Sequence, residues 1–409
     1  MTGAEDGPIL GIVVNWRVRV VSVDASKRSF LQTIGMMVMA RLMSSNLPAM
    51  PGKASFRPDR RLILVILGGV RRQETFSQKG KANIPHLYQD LLPSAVFYST
   101  VRNEGVTSHF NSISSILTGT WQRVDDWGKE PPASPTLFEY ARKQAGFPAS
   151  EVWMVSSNKV VSSQIAASNA SSYGHRYAAN VAFPKALLVA AVEEAIQKGH
   201  QGNMADRARV QAELEAVLQS SNYEGLVWNV AGEAHGLEAS LEASVRSAIR
   251  RFIQTNAPTT GDQLTYFVSV EIMRQYAPSL LVVNFSDVEV AHFGSYSLHL
   301  AGIRNTDRLI HELWQEAETN PEYRGRTLMV VMPEFGRDPD GSNTNGFLNH
   351  RSNDDTCRTI WMMCIGSRVG RGQTIERPVR QVDVCPSLAR WLGCEATEST
   401  GNTLAELVS

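Results

Sequence analysis

The feature of this sequence that most restricts its fold is a short apolar run, residues 328–332, which stops at Pro333. The run is too short for an isolated helix, and its branched and flexible side chains are typical of a strand that is covered on both faces. Such strands belong to parallel sheets, in which helices make the crossover connections. The run therefore predicts an α/β fold.

Polar groups follow this run directly: Glu334, Arg337 and, after a loop rich in Gly, Asn and Asp, His350. In open α/β sheets, ligands bind in the crevice outside the carboxyl ends of the strands. One interpretation is therefore that these residues belong to an active site. The other is an ordinary surface loop in which Glu334 and Arg337 form an ion pair with each other.

Further apolar runs alternate along the chain with segments of helical periodicity. The other predicted strands are residues 61–67, 95–100, 151–156, 280–285 and 358–365, and the predicted helices are 110–117, 134–146, 296–314 and 381–392. This alternation predicts a mostly parallel central sheet with helices on both faces.

Two segments do not fit the alternation. Residues 1–57 supply neither a strand nor an amphipathic helix of the α/β kind, and residues 184–260 are rich in Ala, Glu and Gln with long helical periodicity. We interpret the first as a leader and linker, and the second as a helical insertion. Residues 58–409 are then one α/β domain.

The leader contains Lys27-Arg28 before a moderately apolar run, which resembles a twin-arginine export signal. Arg41 interrupts that run, so it does not predict a membrane span. The export interpretation places the protein in the periplasm or cell envelope. The other interpretation is a loose N-terminal helix, which would leave the protein in the cytoplasm.

Composition restricts the partners. Lys+Arg and Asp+Glu both number 40, so no overall basic field indicates a nucleic acid partner. The cysteines have no CxxC spacing of the kind that binds metal. They are either small buried apolar residues or, in an exported protein, able to form a disulfide. They are Cys357, Cys364, Cys385 and Cys394.

A histidine lies at the start of the predicted helix that follows the second strand. Thr107 or Ser108 would cap this helix, which places His109 in its first turn. The N-terminus of a helix presents unpaired N–H groups and favours an anion. These residues are therefore either a cradle for an oxyanion or phosphate, or ordinary capping residues.

Carboxylates and an imidazole follow the strand at residues 280–285. Parallel neighbouring strands end on the same edge of a sheet, so we expect His292 and His350 on neighbouring loops, with one ring nitrogen of each aimed at one point. Glu289 or Asp287 would reach the same point. Ligands of one Zn²⁺ would place the two nitrogens roughly 3–4 Å apart. The alternative is that each histidine is a loop residue bonded to backbone.

Four stretches, taken in order, resemble the alkaline phosphatase superfamily, which includes sulfatases, nucleotide pyrophosphatases and cofactor-independent phosphoglycerate mutases. They are the strand that ends at Gly68-Gly69, the segment 109–119, the cluster that ends at His292, and the segment 382–393. Residues 334–337 are also similar to the DUF1501 branch of that clan, whose members often carry export signals. The resemblance covers about residues 60–400.

The resemblance implies two bound metal ions, and here the sequence departs from the family. The family's strand-end Asp corresponds to Gly68, its Thr, Ser or Cys nucleophile to His109, and one ligand His to Phe335. One of the two metal sites therefore lacks its usual ligands, which indicates one metal rather than two.

The remaining site would hold its metal through His292, His350 and a carboxylate, Glu289 or Asp287, although the family's Asp-x3-His spacing is absent. Histidines combined with carboxylates suit Zn²⁺ or Mn²⁺. A metal with an open position would lower the pKa of a bound water to about 7.

The candidates for catalysis are His109, Glu334 and Arg337. His109 and Glu334 would act as further ligands or as acid–base groups. His109 is alternatively a nucleophile, but nothing in the sequence identifies a base to activate it.

These observations favour a divergent metal-dependent hydrolase that acts on small anionic substrates, namely phosphate or sulfate esters. The alternative is a catalytically inactive relative that serves as a binding or assembly protein, which the replacements at Gly68 and Phe335 favour. A third hypothesis is an unrelated α/β enzyme, because fold does not imply function. The discriminating observation is whether the candidate residues meet in one pocket. These are His109, Glu289, His292, Glu334 and His350.

Overall fold

The computed structural model describes residues 59–124, 130–158, 164–184, 260–341 and 346–407. The predicted leader, 1–57, and the predicted helical insertion, apart from its end residues 184 and 260, lie outside these ranges. Both segments, and the boundaries of the 58–409 domain, therefore remain predictions.

The described residues contain nine β-strands and six α-helices. The strands are β1 Arg61–Leu67, β2 Ala95–Arg102, β3 Val152–Ser156, β4 Asn180–Ala182, β5 Leu280–Phe285, β6 Thr327–Pro333, β7 Thr359–Gly366, β8 Gln373–Ile375 and β9 Val379–Arg380. The helices are α1 His109–Thr118, α2 Leu137–Lys143, α3 Gly261–Tyr276, α4 Tyr296–Thr319, α5 Asp355–Arg358 and α6 Val384–Trp391. A 3-10 helix, Asp287–Phe293, follows β5 and carries part of the candidate site.

The strands form one mixed sheet in the order β4-β3-β5-β1-β6-β7-β2-β8, with β9 paired to β2. The central strand β1 is parallel to both β5 and β6. Every residue of β1, β5 and β6 is buried, as their continuous apolar runs predict. The predicted α/β fold with a mostly parallel sheet is confirmed.

Strand β7 is the exception, since it runs antiparallel to both β6 and β2. A parallel pair needs a crossover that returns the chain to the starting edge of the sheet. The chain between β6 and β7 instead contributes the short helix α5 directly before β7 starts, so β7 begins at the edge where β6 ends.

Apolar side chains cover both faces of the sheet, because successive residues of a strand point to opposite sides. Leu62, Leu64 and Ile66 of β1 pack into one core together with residues of α1, α2 and α6. Ile63 and Val65 pack into a second core with residues of α3 and α4. Helices therefore lie on both faces, as predicted.

Several helix boundaries differ from the prediction. Helix α2 begins after Thr136 rather than at residue 134, because the Thr136 hydroxyl and the Glu139 carboxylate form a reciprocal capping box. Helix α4 continues beyond Trp314 to Thr319. Helix α3 follows the predicted insertion and was not predicted. Across the ranges that the structure describes, no helix has both the length and the apolar character of a membrane span.

Candidate metal centre

Four side chains converge at the carboxyl edge of the central strands: His109, Glu289, His292 and His350. One ligand atom of each lies within 4.8 Å of those of the others. His109 is the first residue of α1, Glu289 and His292 belong to the 3-10 helix after β5, and His350 lies in the loop after β6. The predicted convergence of His292, His350 and a carboxylate is therefore observed.

The sequence predicts that His292 and His350 follow neighbouring strands, and this prediction is wrong. Strand β1 lies between β5 and β6 and is parallel to both. The loops meet across β1 because that strand ends at Gly68-Gly69, which carries no side chains. The four candidate ligand side chains fill the space above these glycines.

The spacing of the ligand atoms fits one tetrahedral cation. The Nε2 atoms of His292 and His350 are 3.1 Å apart, and Nε2 of His292 is 3.1 Å from Oε2 of Glu289. Nε2 of His109 is 3.4 Å from the same Glu289 oxygen. Ligands at about 2.0–2.1 Å from a tetrahedral Zn²⁺ lie about 3.3 Å from one another. The donor atoms thus fit such an ion without large movement.

Two of the three imidazoles are held through their other nitrogen. Nδ1 of His350 donates to the carbonyl oxygen of Thr107 at 2.7 Å, and Nδ1 of His109 donates to Oε1 of Glu334 at 2.6 Å. Hydrogen bonds of this kind orient the ring, and in the neutral His350 the bond leaves the Nε2 lone pair for a metal. Thr107 therefore supports His350 through its backbone. The sequence left an anion cradle and ordinary capping residues open at this position; no side-chain capping bond forms at Ser108, the N-cap of α1, so Ser108 is not an ordinary capping residue, and the anion cradle stays a prediction.

Glu289 is anchored at both oxygens. Oε1 accepts the Gly69 N–H at 2.6 Å, and Oε2 accepts Nη2 of Arg337 at 2.6 Å. Burial works against the charged form, but Arg337 and the surrounding imidazoles outweigh it and hold the pKa of Glu289 well below its ordinary value. The carboxylate of Glu289 is therefore ionised and available as a candidate ligand.

Arg337 lies behind Glu289 and is fully buried. Besides Glu289, its guanidinium donates to the carbonyl oxygens of Gly69 at 2.7 Å and Phe347 at 3.2 Å. The Arg337–Glu334 ion pair of a simple surface loop does not form. Arg337, predicted as a catalytic residue, is placed to hold Glu289 rather than to meet a substrate.

The partly exposed His109 and the buried Glu334 form an acid–base pair beside the other candidate ligands. Burial opposes protonation of His109, but Glu334 and Glu289 outweigh it and raise the pKa of His109 to about 9. Burial raises the pKa of Glu334, against the effect of His109. Within the described residues, Oε2 of Glu334 is buried without a hydrogen-bond partner.

His350 titrates in the opposite direction. Burial, together with the charge of His109, lowers the pKa of His350 to about 3. This imidazole is therefore neutral, as a metal ligand must be. The Phe335 ring stacks on it, with centroids 4.0 Å apart and an interplanar angle of 17°. An apolar ring thus occupies the position for which the family resemblance implied a ligand histidine.

Asp287, which the sequence offered as an alternative to Glu289, does not join the cluster. Its carboxylate accepts the Asp262 N–H at 2.9 Å instead. In a 3-10 helix, residues three apart lie on the same face. Glu289 and His292 are three apart and face the site together, whereas Asp287 lies on another face and points to the start of α3.

A second group with ligand-type side chains lies elsewhere: His86, Asp90 and His311. The two imidazole rings are stacked, with centroids 4.5 Å apart and an interplanar angle of 7°. The lone pairs of a histidine lie in its ring plane, so two parallel rings cannot direct them at one ion. This group is therefore not arranged as a metal site.

Comparison with known proteins shows which solved structures have a similar fold. No family model and no curated protein sequence matches the chain. Among solved structures, wild type alkaline phosphatase PafA matches with a TM-score of 0.53 and 11% identity, over 87% of this chain and 100% of that one. A PafA variant gives a TM-score of 0.51 at 10% identity with the same coverage. An alkaline phosphatase superfamily protein from Vibrio parahaemolyticus gives 0.47 at 10% identity, over 91% and 78% of the two chains.

The chain therefore has an alkaline-phosphatase-like α/β fold, which confirms the resemblance at the level of the fold. Candidate metal-ligand groups are present on that fold, at the edge where the carboxyl ends of β1, β5 and β6 meet.

Proposed function

We propose that this protein is a hydrolase of phosphate or sulfate esters that works with one divalent metal ion. The observation that carries the proposal is the convergence of two imidazole nitrogens and one ionised carboxylate oxygen at the spacing of a tetrahedral ion, with the imidazole of His109 directly beside them. Such a set of nitrogen and oxygen donors suits Zn²⁺ or Mn²⁺.

His292, His350 and Glu289 would hold the ion. A bound divalent cation would supply a Lewis acid for the ester oxygen and a water of lowered pKa, about 7. The chain contributes the orientation of each ligand: Thr107 fixes the ring of His350, and Arg337 fixes the carboxylate of Glu289. His292 is exposed, so the ligand set opens to solvent on that side.

His109 is the acid–base group of this proposal. Glu334 accepts the Nδ1 proton and fixes the ring, so that Nε2 holds or accepts a proton next to the ligand set. A histidine in this position can protonate the leaving oxygen of an ester, a role that contributes typically 10²–10⁴-fold to a rate. Coordination by His109 would instead complete a four-ligand site and leave no open position in a tetrahedral geometry.

Phosphate monoesters are the first substrates to test, because a solved structure with a similar fold is named as an alkaline phosphatase. Phosphonate and sulfate esters follow. All are small anions, which a divalent cation in the site would attract.

The deciding experiment is metal analysis of the purified protein together with His350→Ala and a matched control, His311→Ala. We expect about one Zn²⁺ or Mn²⁺ per chain, and a loss of affinity of more than about 100-fold in His350→Ala, beyond the effect of losing an outer-shell partner. His311→Ala should retain the metal and the hydrolysis of p-nitrophenyl phosphate. A protein that binds metal but hydrolyses none of the esters would instead support the inactive binding protein.

We further propose that the protein is exported through the signal-like segment at Lys27-Arg28. A reporter fused to residues 1–60 should reach the periplasm and should stay in the cytoplasm after Arg28→Ala. Export that does not depend on Arg28 would remove this proposal.

A further inference from the structure

The carboxylate of Glu289 occupies the space of a side chain on Gly68. A Cβ atom built on Gly68 would lie 2.4 Å from Oε1 of Glu289. Within an aspartate, the Cβ atom and a carboxylate oxygen are also about 2.4 Å apart, because bonds of about 1.5 and 1.25 Å meet at a trigonal carbon. Oε1 of Glu289 thus lies as far from this Cβ as an aspartate oxygen at position 68 would.

We propose that Glu289 supplies, from the loop after β5, the carboxylate that a residue at the end of β1 would otherwise supply. Gly68 is then a requirement of the metal site rather than a sign that the site is lost. The inference rests on the metal site proposed above and assigns to Gly68 a positioning role within it.

The backbone of Gly69 and the side chain of Arg337 support this arrangement. The Gly69 N–H donates to one oxygen of Glu289, while the Gly69 carbonyl accepts from Arg337, which holds the other oxygen. Each oxygen of the Glu289 carboxylate is therefore held by a hydrogen bond. A Cβ on Gly69 would meet the Phe335 ring at 2.6 Å, so this second glycine is also needed for the packing.

The inference predicts that a carboxylate at position 68 can replace the carboxylate at position 289. Gly68→Asp alone would place two carboxylates in one volume and lower the metal affinity. Combined with Glu289→Ala, the same substitution should restore the binding that Glu289→Ala removes. The Cγ2 atom of Val288 would lie 2.7 Å from a Cβ on residue 68, so every variant should also carry Val288→Ala to clear that contact.

The first test measures Zn²⁺ and Mn²⁺ affinity by titration calorimetry in this Val288→Ala background. Glu289→Ala should lower the affinity by at least about 100-fold. Adding Gly68→Asp should recover most of that loss, whereas adding Gly68→Ala, which supplies a Cβ without a carboxylate, should recover none. Equal affinities of the Asp and Ala variants, both folded by circular dichroism, would overturn the inference.

The second test needs no metal and separates this inference from the proposed function. In the presence of a chelator, Gly68→Ala should lower the thermal unfolding temperature when Glu289 is present. The same substitution should lower it clearly less when Glu289→Ala is also present. If Gly68→Ala lowers the unfolding temperature equally with and without Glu289, the two positions do not share a volume. A parent protein that binds no metal would overturn the proposed function, whatever these unfolding temperatures show.

Discussion

At the residue scale, the site depends on which nitrogen of each histidine the protein engages. Glu334 and Thr107 take the Nδ1 positions of His109 and His350, so both Nε2 atoms face inward. Glu334 and Thr107 therefore lie on the far side of each imidazole ring from the proposed ion. Their replacement should therefore change orientation and proton transfer more than the number of ligands.

Glu334→Gln should separate these effects. Because Glu334 does not face the ligand set directly, the variant should keep its metal affinity within about tenfold, while kcat falls by about 10²–10⁴-fold through loss of the acid–base pair. Calorimetry and steady-state kinetics at several pH values provide the measurement.

A matched control for Glu334→Gln is Glu139→Gln. Glu139 is equally buried, but it caps α2 and accepts the Gly174 N–H away from the cluster. This control should lower the unfolding temperature without changing kcat. If Glu334→Gln behaves in the same way, Glu334 has a structural role alone.

At the element scale, the 3-10 helix Asp287–Phe293 decides which carboxylate enters the site. Its three-residue repeat aligns Glu289 with His292 and turns Asp287 toward α3. There Asp287 and Asp262 each accept the backbone N–H of the other. This reciprocal contact ties the start of α3 to the segment that carries two candidate ligands.

The contact predicts a pH dependence of stability. Burial, followed by repulsion from Asp287, raises the pKa of Asp262 to about 8. The folded state therefore holds this proton more tightly than the unfolded chain does. Its stabilising contribution is complete below about pH 4 and is lost as the pH rises through about 8.

Asp287→Asn removes the repulsion and keeps an oxygen that accepts the Asp262 N–H. The loss of unfolding free energy between pH 5 and pH 8 should therefore shrink by on the order of 1 kcal/mol. Urea denaturation in chelator at both pH values measures it. The exposed Asp355→Asn serves as the control and should leave the pH difference unchanged; the same difference in both variants would contradict the argument.

At the scale of the whole molecule, two apolar cores and one central strand position the site. Every described member of both cores lies at residue 62 or later. Removal of residues 1–57 should therefore shift the unfolding temperature by no more than about 2 °C. Removal of residues 1–67, which deletes β1 from the middle of the sheet, should prevent cooperative unfolding, as differential scanning calorimetry would show. A large loss in the shorter deletion would mean that the leader is part of the fold.

The sequence by itself determined the main strands and most of the helices beside them. Apolar runs such as residues 61–67 and 328–332 can be satisfied in an α/β protein only where both faces are covered, so a local pattern was sufficient. It also indicated His109, Glu289, His292, Glu334 and His350, because polar residues that follow buried strands gather at one edge of the sheet.

Only the tertiary structure decided how these residues combine. The placement of β1 between β5 and β6, the reversed direction of β7, and the choice of Glu289 over Asp287 depend on contacts between distant parts of the chain. The bond between Gly69 and Glu289 joins residues 220 positions apart. Hydrophobic periodicity extends over a few turns or one strand, so it contains no information about such a pairing. The absence of a carboxylate at Gly68 therefore looked like a loss in the sequence, whereas in the folded protein another residue fills that volume.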